Sequence, residues 1–211
     1  MPRLTSGAIV GIDFDNTIIS YDHLILAAAI RQDLVSEDAV ANKKTLRDAI
    51  RLLPNGEVHW QKIQAEVYGP EIAGAELIAG VSQFLTRCGV AGVKLYIVSH
   101  KTTVANYDTT NTNLRDAAMA WIESRDLFSK SGGSLVSEQV NFAMTLEEKV
   151  ARIETLGCSY FIDDLTEVFD HPQFPSGVEK MLLDRSRPAS APTSGAFANW
   201  YDITDYLLGD D

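Results

Sequence analysis

Cysteine is scarce. Only Cys88 and Cys158 occur in 211 residues, and neither belongs to a Cys-x-x-Cys pair or a Cys/His spacing that would hold zinc. Both sit among apolar neighbours, which predicts reduced core thiols and a reducing compartment. Long apolar runs are missing too: none approaches the roughly 20 residues that cross a bilayer. Residues 1–6 lack the charged-then-apolar layout of a secretory signal, so a cytoplasmic protein with no membrane partner is expected. Positive charge is in short supply, with 18 Lys and Arg against 29 Asp and Glu and a net charge of −11. Nucleic-acid binders draw affinity from a basic face that releases counterions. That balance argues against a nucleic-acid partner and leaves room for a local basic pocket holding one small phosphate ester. There is no internal repeat.

What is present is ordinary globular material, 45% hydrophobic and 22% charged, in a chain long enough for one substantial core and a small second domain. Residues 8–12 form a short apolar run, read as a fully buried strand. Residues 93–98, 160–162 and 181–183 make similar runs, and 140–144 a further strand. Helical patterns fall between them: 80–88 with Gly89 as its stop, 114–124, and 146–156 with Gly157 just beyond. This alternation predicts an α/β protein, a Rossmann-like parallel sheet with helices on both faces. Residues 21–79 break the rhythm. They carry helical stretches at 24–34, 37–53 and 57–68, turns at Pro54-Asn55-Gly56 and Gly69-Pro70, and no strand. The expected organisation is a core of residues 1–20 and 80–211 with an α-helical insert at 21–79. After Arg187 a Pro/Ala/Ser-rich loop precedes a last short element at 200–208.

The chemistry concentrates where strands end. Gly11 to Thr17 reads Gly-Ile-Asp-Phe-Asp-Asn-Thr, directly after the first strand. Two aspartates at i and i+2 project to one side. Held close, they repel, and one takes up a proton unless a cation bridges them. Mg²⁺ suits such hard oxygen ligands, at about 2.1 Å. A bare Asp-x-Asp is more often a simple loop start, but two further features bear on it. The strand at 160–162 runs into Asp163 and Asp164, and Ser99 closes the strand that begins at 93, offering a hydroxyl to a phosphate oxygen. Lys149, at the start of a helix, is the candidate cation to offset these acids.

In this order the residues resemble the haloacid dehalogenase superfamily of phosphatases. Asp-Phe-Asp-Asn-Thr looks like its first motif, Tyr-Ile-Val-Ser (96–99) like the second, Lys149 like the third and Phe-Ile-Asp-Asp (161–164) like the fourth. The resemblance covers residues 7–20 and 80–185. It implies that Asp13 is a metal ligand and the nucleophile that forms an aspartyl-phosphate. Asp15 would be the general acid and base, lending its backbone carbonyl to Mg²⁺. The N–H groups of Phe14 and Asp15 would cradle the phosphoryl oxygens. Thr17 and Ser99 would bind substrate, and Lys149 would pair with Asp13 and the phosphate. Asp163 takes the direct-ligand position. Asp164 and Glu167 both stand where a residue holding metal-bound water is expected, because Ile162 replaces the family's usual glycine and the later acid is Glu.

The insert looks like the family's helical C1-type cap, with residues 18–22 as its connection and Tyr21, Asp22 and His23 placed to face a pocket. His100 and Lys101 follow the hydroxyl and are candidates to contact a leaving group. The sequence Ser-His-Lys-Thr (99–102) with Tyr-Phe-Ile-Asp-Asp (160–164) resembles a bacterial subgroup linked to surface-sugar or nucleotide-sugar pathways. A small sugar phosphate is therefore the first substrate class and a nucleotide the second. Trp60, Trp121 and Trp200 read as core residues, His59 beside Trp60 as a possible substrate contact, and His171 as a turn residue. A phosphosugar mutase uses the same aspartates, a nucleic-acid 3′-phosphatase conflicts with the acidic balance, and a catalytically silent binding protein would be expected to have lost Asp13.

Overall fold

The computed structural model describes residue 4 and residues 7–128, 135–187 and 195–209. In chain order the elements are β1 (Ile9–Ile12), β2 (Ile19–Ser20), α1 (Asp22–Arg31), α2 (Lys43–Arg51), α3 (Gly56–Tyr68), β3 (Glu76–Leu77), α4 (Val81–Val90) and β4 (Lys94–His100). There follow α5 (Leu114–Ser124), β5 (Val140–Ala143), α6 (Leu146–Thr155), β6 (Tyr160–Asp163), α7 (Thr166–Phe169), β7 (Glu179–Leu183), β8 (Ala196–Phe197) and α8 (Trp200–Leu208).

Six strands form one sheet in the order β5-β4-β1-β6-β7-β8, and every neighbouring pair is parallel. The chain winds outward from β1 through β4 to β5, crosses back, and winds outward again through β6, β7 and β8. The reversal lies beside β1. In open α/β sheets that is the place where the carboxyl ends of the strands leave a crevice for a ligand.

Burial on both faces explains why these strands read as continuous apolar runs. On one face Ile153 of α6 joins Val98, Phe161 and Cys158 in a buried cluster. Elsewhere in the same unit α4 and α8 meet through Phe84 and Trp200, whose rings are 4.9 Å apart. Gly11, in the middle of β1, is required by packing: a Cβ there would lie 2.6 Å from Phe161 Cδ2 and 3.0 Å from Cys158 Sγ. No helix among the described residues is long and apolar enough to cross a membrane.

The chain divides into two compact units, residues 1–18, 77–101 and 123–211 in one and residues 19–76 and 102–122 in the other. The first contains the sheet. In the second, α1, α2 and α3 pack on one another, with Tyr21 against Tyr68 at 4.3 Å between ring centroids and Trp60 buried. Most of α5 belongs here, whereas the chain order assigned it to the sheet. The buried Trp121 donates its indole N–H to the Ala75 carbonyl at 3.1 Å, and the Leu114 N–H bonds Thr103 O at 2.8 Å. Strand-helix-strand order identifies a crossover helix; it does not say which body that helix packs against.

Other differences are local. Gly89 lies inside α4, which runs on to Val90; the stop is Gly92, with φ of +67°. The stretch 37–53 is helical only from Lys43, where the Asn42 side chain caps the Thr45 N–H at 2.9 Å. The segment between β1 and α4 is not free of strands, since β2 and β3 pair in a two-stranded sheet. Ala196 and Phe197 add an outer strand where a loop was expected, while residues 188–194 of that loop lie outside the described residues.

Both cysteines are buried, and burial pushes the Cys88 thiol up to about 12 and the Cys158 thiol up to about 11. The thiolate is the reactive form. A thiol reagent at pH 8 is therefore expected to label neither cysteine in the native protein and both in denaturant. Because the folded values exceed the unfolded value of 9.0, the stability these groups contribute is complete below about pH 9 and is lost as pH rises through 11 and 12. A pH series of thermal unfolding midpoints should fall across that window.

Candidate active site

The register of β1 fixes the first acidic pair. Ile12 stands opposite Ile162, so the next residues, Asp13 and Asp163, emerge side by side from adjacent strand ends. The Asp13 N–H continues the pairing, donating to Ile162 O at 2.9 Å. Carboxylate oxygens of Asp13, Asp163 and Asp164 lie within 4.8 Å of one another. Lys149 ties the cluster together, its Nζ 2.7 Å from Asp13 Oδ1 and 2.6 Å from Asp163 Oδ2. The second oxygen of Asp163, Oδ1, accepts the Leu165 N–H at 2.9 Å.

Lys149 reaches this point because α6 starts where it does. The Thr145 side chain accepts the Glu148 N–H at 3.1 Å, and the Glu148 carboxylate accepts the Met144 N–H at 2.7 Å, so the first turn is capped from both directions. Lys149 follows directly and is 2% exposed. Burial pulls its ammonium down, but the charges of Asp13 and Asp163 more than offset this and hold it well above the ordinary lysine value. Asp163 is fully buried. Burial pushes its carboxyl up to about 7, with Lys149 opposing the rise and Asp13 adding to it.

The loop after Asp13 is tightly wound. Phe14 is buried, the Ile18 N–H bonds Phe14 O at 3.0 Å, and Asn16 sits at φ +65°, a left-handed conformation asparagine tolerates better than most residues. The Trp200 indole N–H holds the Thr17 carbonyl at 2.8 Å. Asp15 projects from this loop, and Lys101 Nζ lies 3.0 Å from its Oδ1 and 2.8 Å from its Oδ2. Thr17 Oγ1 and Ser99 Oγ are buried with no hydrogen-bond partner among the described residues. Unsatisfied buried hydroxyls cost stability, and a polar atom that reached either one would recover that cost.

Asp13, Asp163, Asp164 and Lys149 thus form one group, and Asp15, on the loop after Asp13, pairs with Lys101, which directly follows β4. His100 is exposed, its Nε2 2.9 Å from Met144 O. Glu167 is exposed and outside the carboxylate cluster, which includes Asp164. In the other unit His23 is exposed, 3.6 Å from Glu76, and Trp60 is buried while His59 is half-buried. His171 is a turn residue, its Nδ1 accepting the Gln173 N–H. Lys101, expected on a loop facing a leaving group, is 3% exposed and holds Asp15. Its signal was available: Ser99 and Lys101 stand at i and i+2 on a strand end and share a side, as Asp13 and Asp15 do. The Thr145 and Glu148 capping pair likewise announces the helix start that places Lys149.

The donor set fits a hard divalent cation. Three carboxylates converge, and the Lys149 ammonium touches two of them. Oxygen-only ligation of this kind suits Mg²⁺ or a similar ion.

No protein-family model and no curated protein matches the sequence. Solved structures do resemble the fold. A haloacid dehalogenase superfamily hydrolase from Ehrlichia chaffeensis is 13% identical, with 97% of each chain covered and a TM-score of 0.53. One from Geobacter sulfurreducens, of subfamily IA, is 15% identical over 97% of this chain and 100% of that chain, at a TM-score of 0.56. Protein tyrosine kinase A of Mycobacterium tuberculosis is 14% identical over 96% of this chain and 99% of that chain, at 0.60. At such identities the shared property is architecture. With its six parallel strands, its flanking helices and its aspartates at the strand ends, the chain has the fold of the haloacid dehalogenase superfamily hydrolases.

Proposed function

We propose that the protein is a divalent-metal-dependent phosphohydrolase that cleaves a small phosphomonoester, a sugar phosphate first and a nucleotide second, through an aspartyl-phosphate on Asp13. The observation that carries this reading is the buried Lys149 bridging Asp13 and Asp163 with Asp164 alongside. An isolated buried carboxylate takes up a proton; a nucleophile must keep its charge, and the ammonium 2.7 Å away favours that.

Lys149 engages Oδ1 of Asp13, which leaves Oδ2 for attack. That oxygen bonds to phosphorus as the ester P–O bond breaks, and Asp15 gives its proton to the departing oxygen. Asp15 then takes a proton from water, which attacks the same phosphorus, breaks the Asp13 O–P bond and releases inorganic phosphate. The N–H groups of Phe14 and Asp15, with the hydroxyls of Ser99 and Thr17, receive the phosphoryl oxygens. Asp13, Asp164 and the Asp15 carbonyl would hold the cation, with Asp163 beside them already accepting a donor on each oxygen. Bound there, Mg²⁺ would neutralise charge on the phosphoryl group and Asp13.

A chromogenic phosphate ester assayed with Mg²⁺ and with excess EDTA tests the proposal. Turnover should need the metal, and free phosphate should accumulate; migration of phosphate without release would indicate a mutase. Asp164→Asn is expected to raise the Mg²⁺ concentration for half-maximal rate by about 10–100-fold. Undiminished turnover in EDTA would sink the metal-dependent mechanism.

A further inference from the structure

We infer that Lys101 is a positioning residue that holds the Asp15 carboxylate in its working orientation, a role that rests on the proposed use of Asp15 as proton donor and acceptor. Lysine is seldom buried, because taking its ammonium out of water is costly unless a partner compensates. Lys101 is nonetheless 3% exposed. Its Nζ lies within hydrogen-bond distance of both Asp15 oxygens, at 3.0 and 2.8 Å, and 5.6 Å from the centroid of the Phe14 ring.

The backbone on either side is fixed as well. The Lys101 N–H donates to Ala143 O at 2.9 Å, extending the pairing of β4 with β5 beyond His100. On the other side Asn16 at φ +65° and the Ile18–Phe14 bond pin the loop that carries Asp15. The lysine and aspartate therefore meet from two anchored strand ends, and gripping both oxygens removes the rotation about the last side-chain bond that a lone aspartate would keep. Proton transfer in both halves of the reaction needs that carboxylate within hydrogen-bond reach of the leaving oxygen and of water. Misplacement by about 1 Å can cost on the order of 10²-fold in rate. A second lysine thus serves the site by a route different from Lys149: one holds the nucleophile, the other holds the proton carrier.

Lys101→Met keeps the buried stem and removes the grip. In the metal-loaded protein kcat should fall by about 10–100-fold with KM changed less than about threefold. In an Asp15→Asn background the same substitution should lower kcat by less than about twofold, since its effect passes through the missing carboxylate. Lys101→Arg, which retains a cation of different shape, should recover part of the loss. A raised KM with unchanged kcat would mean that Lys101 grips substrate, and additive losses with Asp15→Asn would mean that it acts alone; either overturns the inference. If Lys101→Met fails to fold by circular dichroism, Lys101→Arg carries the same cycle. Crystal structures give a readout independent of turnover: Asp15 should shift or split between conformers in the variant, and an unmoved Asp15 refutes positioning. Absent phosphate release by the unsubstituted protein would sink the proposed function, while the Asp15 conformer would still decide the role of Lys101.

Discussion

Replacing Asp13 with Asn is expected to lower phosphate release by at least about 10⁴-fold, on the scale seen when a catalytic nucleophile is removed, while the protein stays folded. The two parts of this expectation come from different atoms. Asparagine matches aspartate in shape, and its carbonyl oxygen can still accept from Lys149, which lies 2.7 Å from Asp13 Oδ1. The substitution also removes one of the charges that push Asp163 upward, so repulsion inside the cluster falls as a charge-assisted bond weakens. Those terms oppose one another, and the net change in stability should stay within about 1–2 kcal/mol. The amide, in contrast, is a poor nucleophile and cannot give the acyl phosphate. Phosphate release, thermal midpoint and acid-stable labelling from a radioactive phosphate donor measure the three consequences separately. Turnover that survives in a correctly folded Asp13→Asn protein eliminates the aspartyl-phosphate mechanism.

The sheet was legible because a strand buried on both faces has to be apolar along its whole length. Residues 8–12, 93–98 and 160–162 stand out for that reason, and they became β1, β4 and β6. The acids were legible as the residues at which those runs stop. What stayed hidden depends on partners distant in the chain. Nothing local to Leu114–Ser124 says that Trp121 donates to Ala75, 46 positions away, so the unit to which α5 belongs is not legible in the sequence. β8 has two residues, too few for a periodic signal. Gly89 looks like a helix stop because glycine serves that role when its φ is positive; the helix instead runs on to Val90, and the glycine with positive φ just beyond it is Gly92, at +67°. Lys101 is legible as sharing a side with Ser99, but the Asp15 that stands opposite it comes from 86 positions away.

Lys149→Met is the substitution expected to damage stability most. The methionine fills much the same volume but leaves Asp13 and Asp163 buried without the cation that bridges them, and breaking a buried pair from one side costs about 3–5 kcal/mol. The deficit should depend on pH. With the ammonium in place Asp163 is already pushed up to about 7 by burial, and removing the ammonium moves it higher. A carboxyl whose folded value lies above its unfolded one contributes stability fully below the ordinary value near 4 and loses it as pH rises through the folded value. In metal-free buffer the variant should therefore come nearest to the unsubstituted protein at about pH 5, where Asp163 is protonated, and fall furthest behind at about pH 8. Divalent metal, if it binds the folded state alone as proposed, would supply the missing positive charge and stabilise by about 2.7 kcal/mol at a hundred times the dissociation constant. The rise in unfolding midpoint on adding Mg²⁺ at pH 8 should accordingly be larger in Lys149→Met than in the unsubstituted protein, even though its turnover is lost. A deficit that is flat from pH 5 to 8, joined to an equal metal response in both proteins, would mean that Lys149 only fills space and that the three carboxylates do not act as one electrostatic unit.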